Sequence, residues 1–220
     1  MTIFPGKLIV FSGIDGAGKS TQIKLILESY RKKGIYSQYL WTRGGYTGPF
    51  NYLKGFLRNI LRKKLTPSGR NQQRENAFKK GWVRNTWLTL AILDLILVYG
   101  VYVRFCMNFG RIVIADRYLW DTWIDFKLNF PEVNFDEWAI WRFLKWVTPM
   151  PTKAFLLLIP VEESLRRSRQ KEEPFPDSEE VLQKRLDYYH EYSRLHKIQV
   201  INCQESVIAV HADISNCLPI

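Results

Sequence analysis

The chain has 220 residues, 46% of them hydrophobic, which is enough to bury a core, suits one α/β domain and excludes a disordered polypeptide. Its formal charge of +11 points to an anionic partner: nucleic acid, an acidic membrane or a phosphate-rich small substrate. Cys106, Cys203 and Cys217 are odd in number and lack metal-ligand spacing, which argues against a disulfide framework or zinc site and suits a reducing, cytoplasmic setting.

The first segment, MTIFPGKLIVF, carries one Lys and runs straight into an apolar stretch, Leu8 to Phe11. That stretch reads as a buried strand and leaves no cleavable signal. Ser12-Gly13 breaks it into a glycine-rich turn, and behind the turn Ile23, Ile26, Leu27 and Tyr30 recur at helical spacing. Between strand and helix, Gly13-Ile14-Asp15-Gly16-Ala17-Gly18-Lys19-Ser20 fits G-x-x-x-x-G-K-[ST], with Thr21 following. Glycines there let successive backbone N–H groups converge on phosphate oxygens, and the helix starting near Lys19 adds its positive end. Lys19 can reach the β- and γ-phosphates, and the Ser20 hydroxyl can sit on a phosphate-bound magnesium. The whole reads as a nucleoside triphosphate site.

Gly34 stops the first helix, and Ile35 to Trp41 reads as a second strand. Arg43 stands just past its carboxyl end, where ligands collect in an open parallel sheet, and can face bound phosphate. Asn51 to Lys64 has helical periodicity, broken at Thr66-Pro67-Ser68-Gly69. Much of the positive charge lies between Arg58 and Lys80. Few aromatics interleave it and no dedicated nucleic-acid motif accompanies it, so it reads as a solvated connection, with a membrane surface or polyanion as the alternative. A long helix is expected from about Trp82 to Met107. Its run Trp87 to Val103 is membrane-like but is interrupted by Asp94, followed by Arg104, and marginal for a span of about 20 residues. No transmembrane span is expected; the helix reads as buried, with a subunit interface taking any surplus apolar surface.

Arg111 to Arg117, RIVIADR, is a short buried strand that delivers Asp116 and Arg117 to its carboxyl end. In a triphosphate-binding α/β protein an Asp there is the expected partner of hydrated magnesium; a cap on the next helix is the other reading. Past the aromatic Tyr118 to Trp123 stretch, a helix is expected between Asp136 and Trp146, and a fourth strand at Ala154 to Ile159. The following VEESLRRSRQK, Val161 to Lys171, clusters basic residues that can close over donor phosphates as a lid, or form an ordinary charged helix surface. Asp177 to His196 reads as a helix and Ile198 to Ile201 as a fifth strand. A terminal helix places Val207, Val210, His211, Ile214 and Leu218 on one apolar face. His211 reads as a packed histidine, and His190 and His196 have no ligand or triad spacing.

Taken in order, GIDGAGKST, Thr42-Arg43, Asp116-Arg117-Tyr118, PVEESLRRSR at Pro160 to Arg169 and the terminal INCQESVIAVHADI resemble the thymidylate kinase family of nucleoside monophosphate kinases. The resemblance implies a single P-loop α/β domain over residues 1–220, with a five-stranded parallel sheet flanked by helices and a short lid at about 162–176. It further implies a homodimer that transfers the γ-phosphoryl group of ATP to dTMP with Mg2+. On this likeness Gly13, Ile14, Asp15, Gly16, Ala17, Gly18, Lys19, Ser20 and Thr21 bind ATP, and Ser20 and Asp116 hold the metal. Asp15, Arg43 and Arg117 hold the acceptor, and Lys19, Arg117, Arg167 and Arg169 carry the transfer. Gly16 stands where some members have a loop arginine, so the lid supplies that charge. Three departures touch the acceptor. Arg43-Gly44-Gly45-Tyr46 replaces Arg-Glu-Pro-Gly-Gly. Ala91, Asp94 and Leu95 fall at the ring, acidic-or-amide and arginine positions of the base-reading helix. WDTWIDF replaces the Ser-rich and Tyr-Gln continuation after Tyr118. They leave open a diverged kinase for another phosphorylated metabolite, or a nucleotide-dependent ATPase or switch on a polyanion or membrane.

Overall fold

A computed structural model describes residues 6–42, 78–171, 177–196 and 198–218. Arg43, the expected Asn51 to Lys64 helix, most of the basic Arg58 to Lys80 stretch and the far end of the expected lid, Glu172 to Pro176, lie outside these residues.

The apolar runs become strands β1 (Lys7–Gly13), β2 (Ser37–Trp41), β3 (Ile112–Asp116), β4 (Lys153–Leu158) and β5 (Gln199–Asn202). They form one parallel sheet in the order β2-β3-β1-β4-β5. A central parallel strand is covered on both faces, which is why β1 is buried from Leu8 to Gly13 without alternation. Its neighbours are β3 on one side and β4 on the other, so a crevice opens beyond its carboxyl end, where the connections part to the two faces. Register brings the chemistry to that end. Phe11 pairs with Asp116 and Gly13 with Leu157, while Trp41 also pairs with Asp116.

Around the sheet lie α1 (Lys19–Lys32), α2 (Gly81–Leu95), α3 (Arg104–Asn108), α4 (Leu119–Asn129), α5 (Ala139–Val147), α6 (Val161–Gln170), α7 (Glu179–Leu195) and α8 (Val207–Cys217). The core joins Phe11 stacked on Phe155 at 5.2 Å to an aromatic cluster of Phe126, Phe135 and Trp141.

Several elements differ from the sequence pattern. The strand expected from Ile35 starts at Ser37, because the Ile35 N–H still donates to Tyr30 O at the end of α1. The long apolar helix exists, but Ile96–Val103 between α2 and α3 is wound as a π-helix, and Gly110 at φ 72 ends the unit. Within that turn Gly100 lies against α5: a Cβ there would stand 3.1 Å from Val147 Cγ2. The Tyr118 to Trp123 stretch opens a helix, α4, that hydropathy did not announce, since its inward face carries Asp121, Thr122 and Asp125. The helix expected from Asp136 begins at Ala139 after a 3-10 turn, Phe135–Glu137. At the C-terminus Val210 and Ile214 are buried, but Val207 is exposed and Leu218 lies past the helix. His211 packs as expected, its Nδ1 3.1 Å from Gln22 Oε1.

Candidate active site

The phosphate loop leaves β1 through Gly13, whose φ of 138 and approach to β4 leave no room for a side chain. A Cβ there would meet Leu157 O at 2.1 Å. The loop closes on Gly18, which caps α1 without a side chain, and no acidic residue occupies the first turn. The first-turn amides and the positive helix end are thereby left for an anion. Lys19 lies buried over the loop, its Nζ donating to Gly13 O and Ile14 O at 2.9 Å each. Burial pushes its pKa down to about 8, with Arg117 adding to the fall and Asp15, Asp116 and Asp121 opposing it. Ser20 and Thr21 are exposed beside it.

At the end of β3 its last residue, Asp116, and the next, Arg117, face the same crevice. Asp116 Oδ2 accepts from the Tyr39 hydroxyl at 3.3 Å, whereas its Oδ1 is buried with no hydrogen-bond partner among the described residues. A buried carboxylate oxygen left over in this way fits a cation ligand, directly or through water. Arg117 is the one non-glycine residue with positive φ among those described, at 73. This strained turn directs its guanidinium back to the loop, where Nη2 donates to Asp15 Oδ1 at 2.5 Å. Thr42 Oγ1 holds the Arg117 carbonyl at 2.9 Å and in turn accepts from Tyr99. Burial works against the Arg117 charge, but Tyr189, Asp15, Asp125 and Asp121 around it outweigh burial and raise its pKa.

Helix α6 is docked on the loop. Ser164 Oγ donates to Asp15 O at 2.6 Å, and Arg167 donates from Nη1 to Gly16 O at 3.0 Å and from Nη2 to Cys203 O at 3.2 Å. Glu163 aligns Arg167 through Nε at 2.6 Å. Arg169 is exposed and takes no part in this docking. Between the loop, α6 and the β5–α8 turn lies a cavity of about 190 Å³ bounded by Gly16, Gly18, Thr21, Arg167, Glu205 and Val207.

The structure thus gathers Gly13 to Thr21, Asp116, Arg117 and Arg167 at one end of the sheet, leaves Arg169 outside, and does not describe Arg43. Ala91 and Leu95 are fully buried in the apolar core. Sequence patterning missed two buried polar groups. One joins Ser12, Trp120, Asp121 and Tyr189 beneath the loop. The other is Arg185, which holds Asp125 at 2.5 Å and Asp177 at 3.2 Å. The one hint in the sequence is the WDTWIDF run itself, whose acids alternate with aromatics where an outer helix face would not need them.

The thymidylate kinase family model matches residues 98–214. A thymidylate kinase of Desulfotalea psychrophila is 31% identical over 215 residues, covering 96% of this chain and 93% of that protein. A probable thymidylate kinase of Pyrococcus abyssi is 28% identical over 218 residues, covering 95% and 94%. Among solved structures, thymidylate kinase from Candida albicans superposes with a TM-score of 0.59 over 97% of this chain and 91% of its own, at 15% identity, which supports the fold alone. With the phosphate loop, the Asp116-Arg117 strand end and these near full-length likenesses together, the chain belongs to the thymidylate kinase family.

Proposed function

We propose that this protein transfers the γ-phosphoryl group of ATP to dTMP, giving dTDP and ADP. Family membership makes it an ATP-dependent phosphotransferase acting on a nucleotide monophosphate. The observation that carries the reading is the convergence of the loop at the end of β1 with Asp116 and Arg117 at the end of β3, strands paired in register at Phe11 and Asp116.

Such a transfer needs positioning and charge neutralisation more than a protein nucleophile. The loop amides and Lys19 hold the donor phosphates; phosphate oxygens take the place of the Gly13 and Ile14 carbonyls on the ammonium. Arg117, with Arg43 beyond β2, orients the acceptor phosphate, and Asp15 fixes Arg117 from the loop. Arg167 lies against Gly16 and meets charge on the transferred group. Arg169 contributes from the exposed side once the lid, about 162–176, is closed. Asp116 and Ser20 would hold a magnesium ion, which would supply positive charge to the donor phosphates. Docking of α6 on the loop keeps water from the donor.

The exposed apolar stripe on α2, the π-helix and α3 supports a homodimer, and free Cys106, Cys203 and Cys217 support a reducing cytoplasmic location. The unit Gly81–Asn108 is long and apolar enough to cross a membrane, but Leu88, Ala91, Ile92, Leu95 and Tyr99 are sealed in the core, which supports a packed helix instead. A second acceptor class, another phosphorylated metabolite, is favoured by one observation: the positions expected to read thymine, Ala91 and Leu95, are buried and apolar. Purified protein with ATP, magnesium and a panel of dTMP, dUMP, other nucleoside monophosphates and sugar phosphates decides. Turnover highest with dTMP is expected; ATP binding without turnover of any nucleoside monophosphate overturns the assignment.

A further inference from the structure

Beneath the loop the WDTWIDF segment builds a group of side chains that the transfer chemistry above does not use. Asp121, on α4, is buried, and every contact it makes is with a donor. Its Oδ2 accepts from Ser12 Oγ at 2.6 Å and from the Tyr118 N–H at 2.8 Å. Its Oδ1 accepts from the Tyr189 hydroxyl at 2.6 Å and stands 3.8 Å from Arg117 Nη1. Ser12 spends its own proton on Asp121 because it already accepts from Trp120 Nε1 at 2.5 Å. Three donors and a guanidinium around two oxygens make a shell that favours the anion. Burial raises the Asp121 pKa above the usual carboxylate range, and Arg117, Ser12, Tyr189 and the Tyr118 N–H offset part of that rise.

We infer that Asp121, clamped by Ser12 and Tyr189, is a positioning residue for Arg117. The guanidinium lies between two carboxylates of different parentage. Asp15 of the loop takes Nη2, and Asp121 faces Nη1 across 3.8 Å, close enough to attract it and too far to consume a donor in a hydrogen bond. Nη1 is buried and makes no hydrogen bond among the described residues. A buried donor held charged and unbonded is what an incoming acceptor phosphate oxygen would satisfy. Ser12 immediately precedes Gly13, and Tyr189 comes from α7, so the same clamp ties the acceptor-side arginine to the donor loop and to the far helix. The two phosphates are thereby held in one frame, which is the property a direct transfer requires.

This inference rests on the acceptor role given to Arg117, so the test includes a readout that needs no acceptor. Tyr189→Phe removes one hydroxyl and keeps the packing; Asp121→Asn removes the charge. In the first measurement, Arg117 guanidinium rotation is followed by 15N NMR in the absence of nucleotide. Slow rotation in the wild type and faster rotation in both variants are expected; unchanged rotation in the folded Tyr189→Phe protein overturns the inference. In the second, dTMP binding is measured by calorimetry. Tyr189→Phe should weaken it about fivefold, and should have no further effect in an Arg117→Ala background. An equal loss in both backgrounds overturns the inference, since a merely structural hydroxyl would act with or without Arg117. Wild-type protein that binds ATP but no monophosphate, while Arg117 is still immobilised by Asp121, overturns the acceptor reading and not the clamp.

Discussion

Lys19 over the phosphate loop and Cys203 in the cavity beside it are within electrostatic reach of one another and have opposite chemical prospects. The Lys19 ammonium is held over two loop carbonyls and is ready to exchange them for phosphate oxygens. Lys19→Met keeps the length of the stem and removes that charge, so kcat should fall about 100- to 1000-fold, the scale on which single electrostatic donors act. A steady-state assay checks this, and loss of less than tenfold would remove Lys19 from the transfer. Cys203 lines the cavity, yet burial pushes its thiol up to about 11, with Arg167 and Lys19 opposing the shift. A raised thiol pKa means that thiolate is scarce throughout the neutral range and grows about tenfold per pH unit until about 11. Iodoacetamide at pH 7.5 should therefore leave Cys203 intact by peptide mass spectrometry, and alkylation should climb steadily through pH 9 and 10. Rapid labelling at pH 7.5 would show the cavity wall to be open and the thiol activated.

At the scale of elements, the joint between α4 and α7 rests on Arg185. It is 2% exposed and is held by Asp125 from α4 and Asp177 from the approach to α7. Arg185→Ala removes the buried cation that Asp125 and Asp177 share in a poorly solvated joint, so it should cost about 3–5 kcal/mol in urea denaturation. A loss under about 1 kcal/mol would mean that the joint is held by packing alone. This joint also marks where sequence reading stops. The loop was legible because its chemistry is local: eight consecutive residues specify the turn, the helix start and the anion site, and short apolar runs announce the strands that aim Asp116 and Arg117. Helix α4 was not, because Asp121, Thr122 and Asp125 point inward and cancel the apolar face by which helices are recognised. Nor does any pattern reveal that Arg185 meets an acid 60 residues earlier rather than solvent. The π-helix is silent for a related reason, since apolar residues on all sides fit any helical pitch.

For the whole molecule, the unsettled surface is the outer side of that long helical unit. Leu93, Leu97, Val101, Phe105 and Phe109 follow one another at every fourth position, and each is exposed. Their inward counterparts Leu88, Ala91, Ile92, Leu95 and Tyr99 are sealed, so the unit is anchored on one side and apolar on both. A line of five large apolar side chains in water is unfavourable unless covered, and a second copy bearing the same line can cover it across a twofold axis. The unit also runs into β3, the strand that ends in Asp116 and Arg117, so an interface there would brace the site from behind without entering it. Light scattering should give about 52 kDa, twice the 26.0 kDa chain. Leu97→Glu with Val101→Glu places two charges at the middle of the stripe, and should yield a folded monomer. Because neither residue faces the crevice, the monomer should still bind ATP, while its acceptor-side affinity should fall if the interface braces β3. A wild-type monomer that floats with anionic vesicles would instead assign the stripe to a membrane surface, and with it the basic charge of the chain.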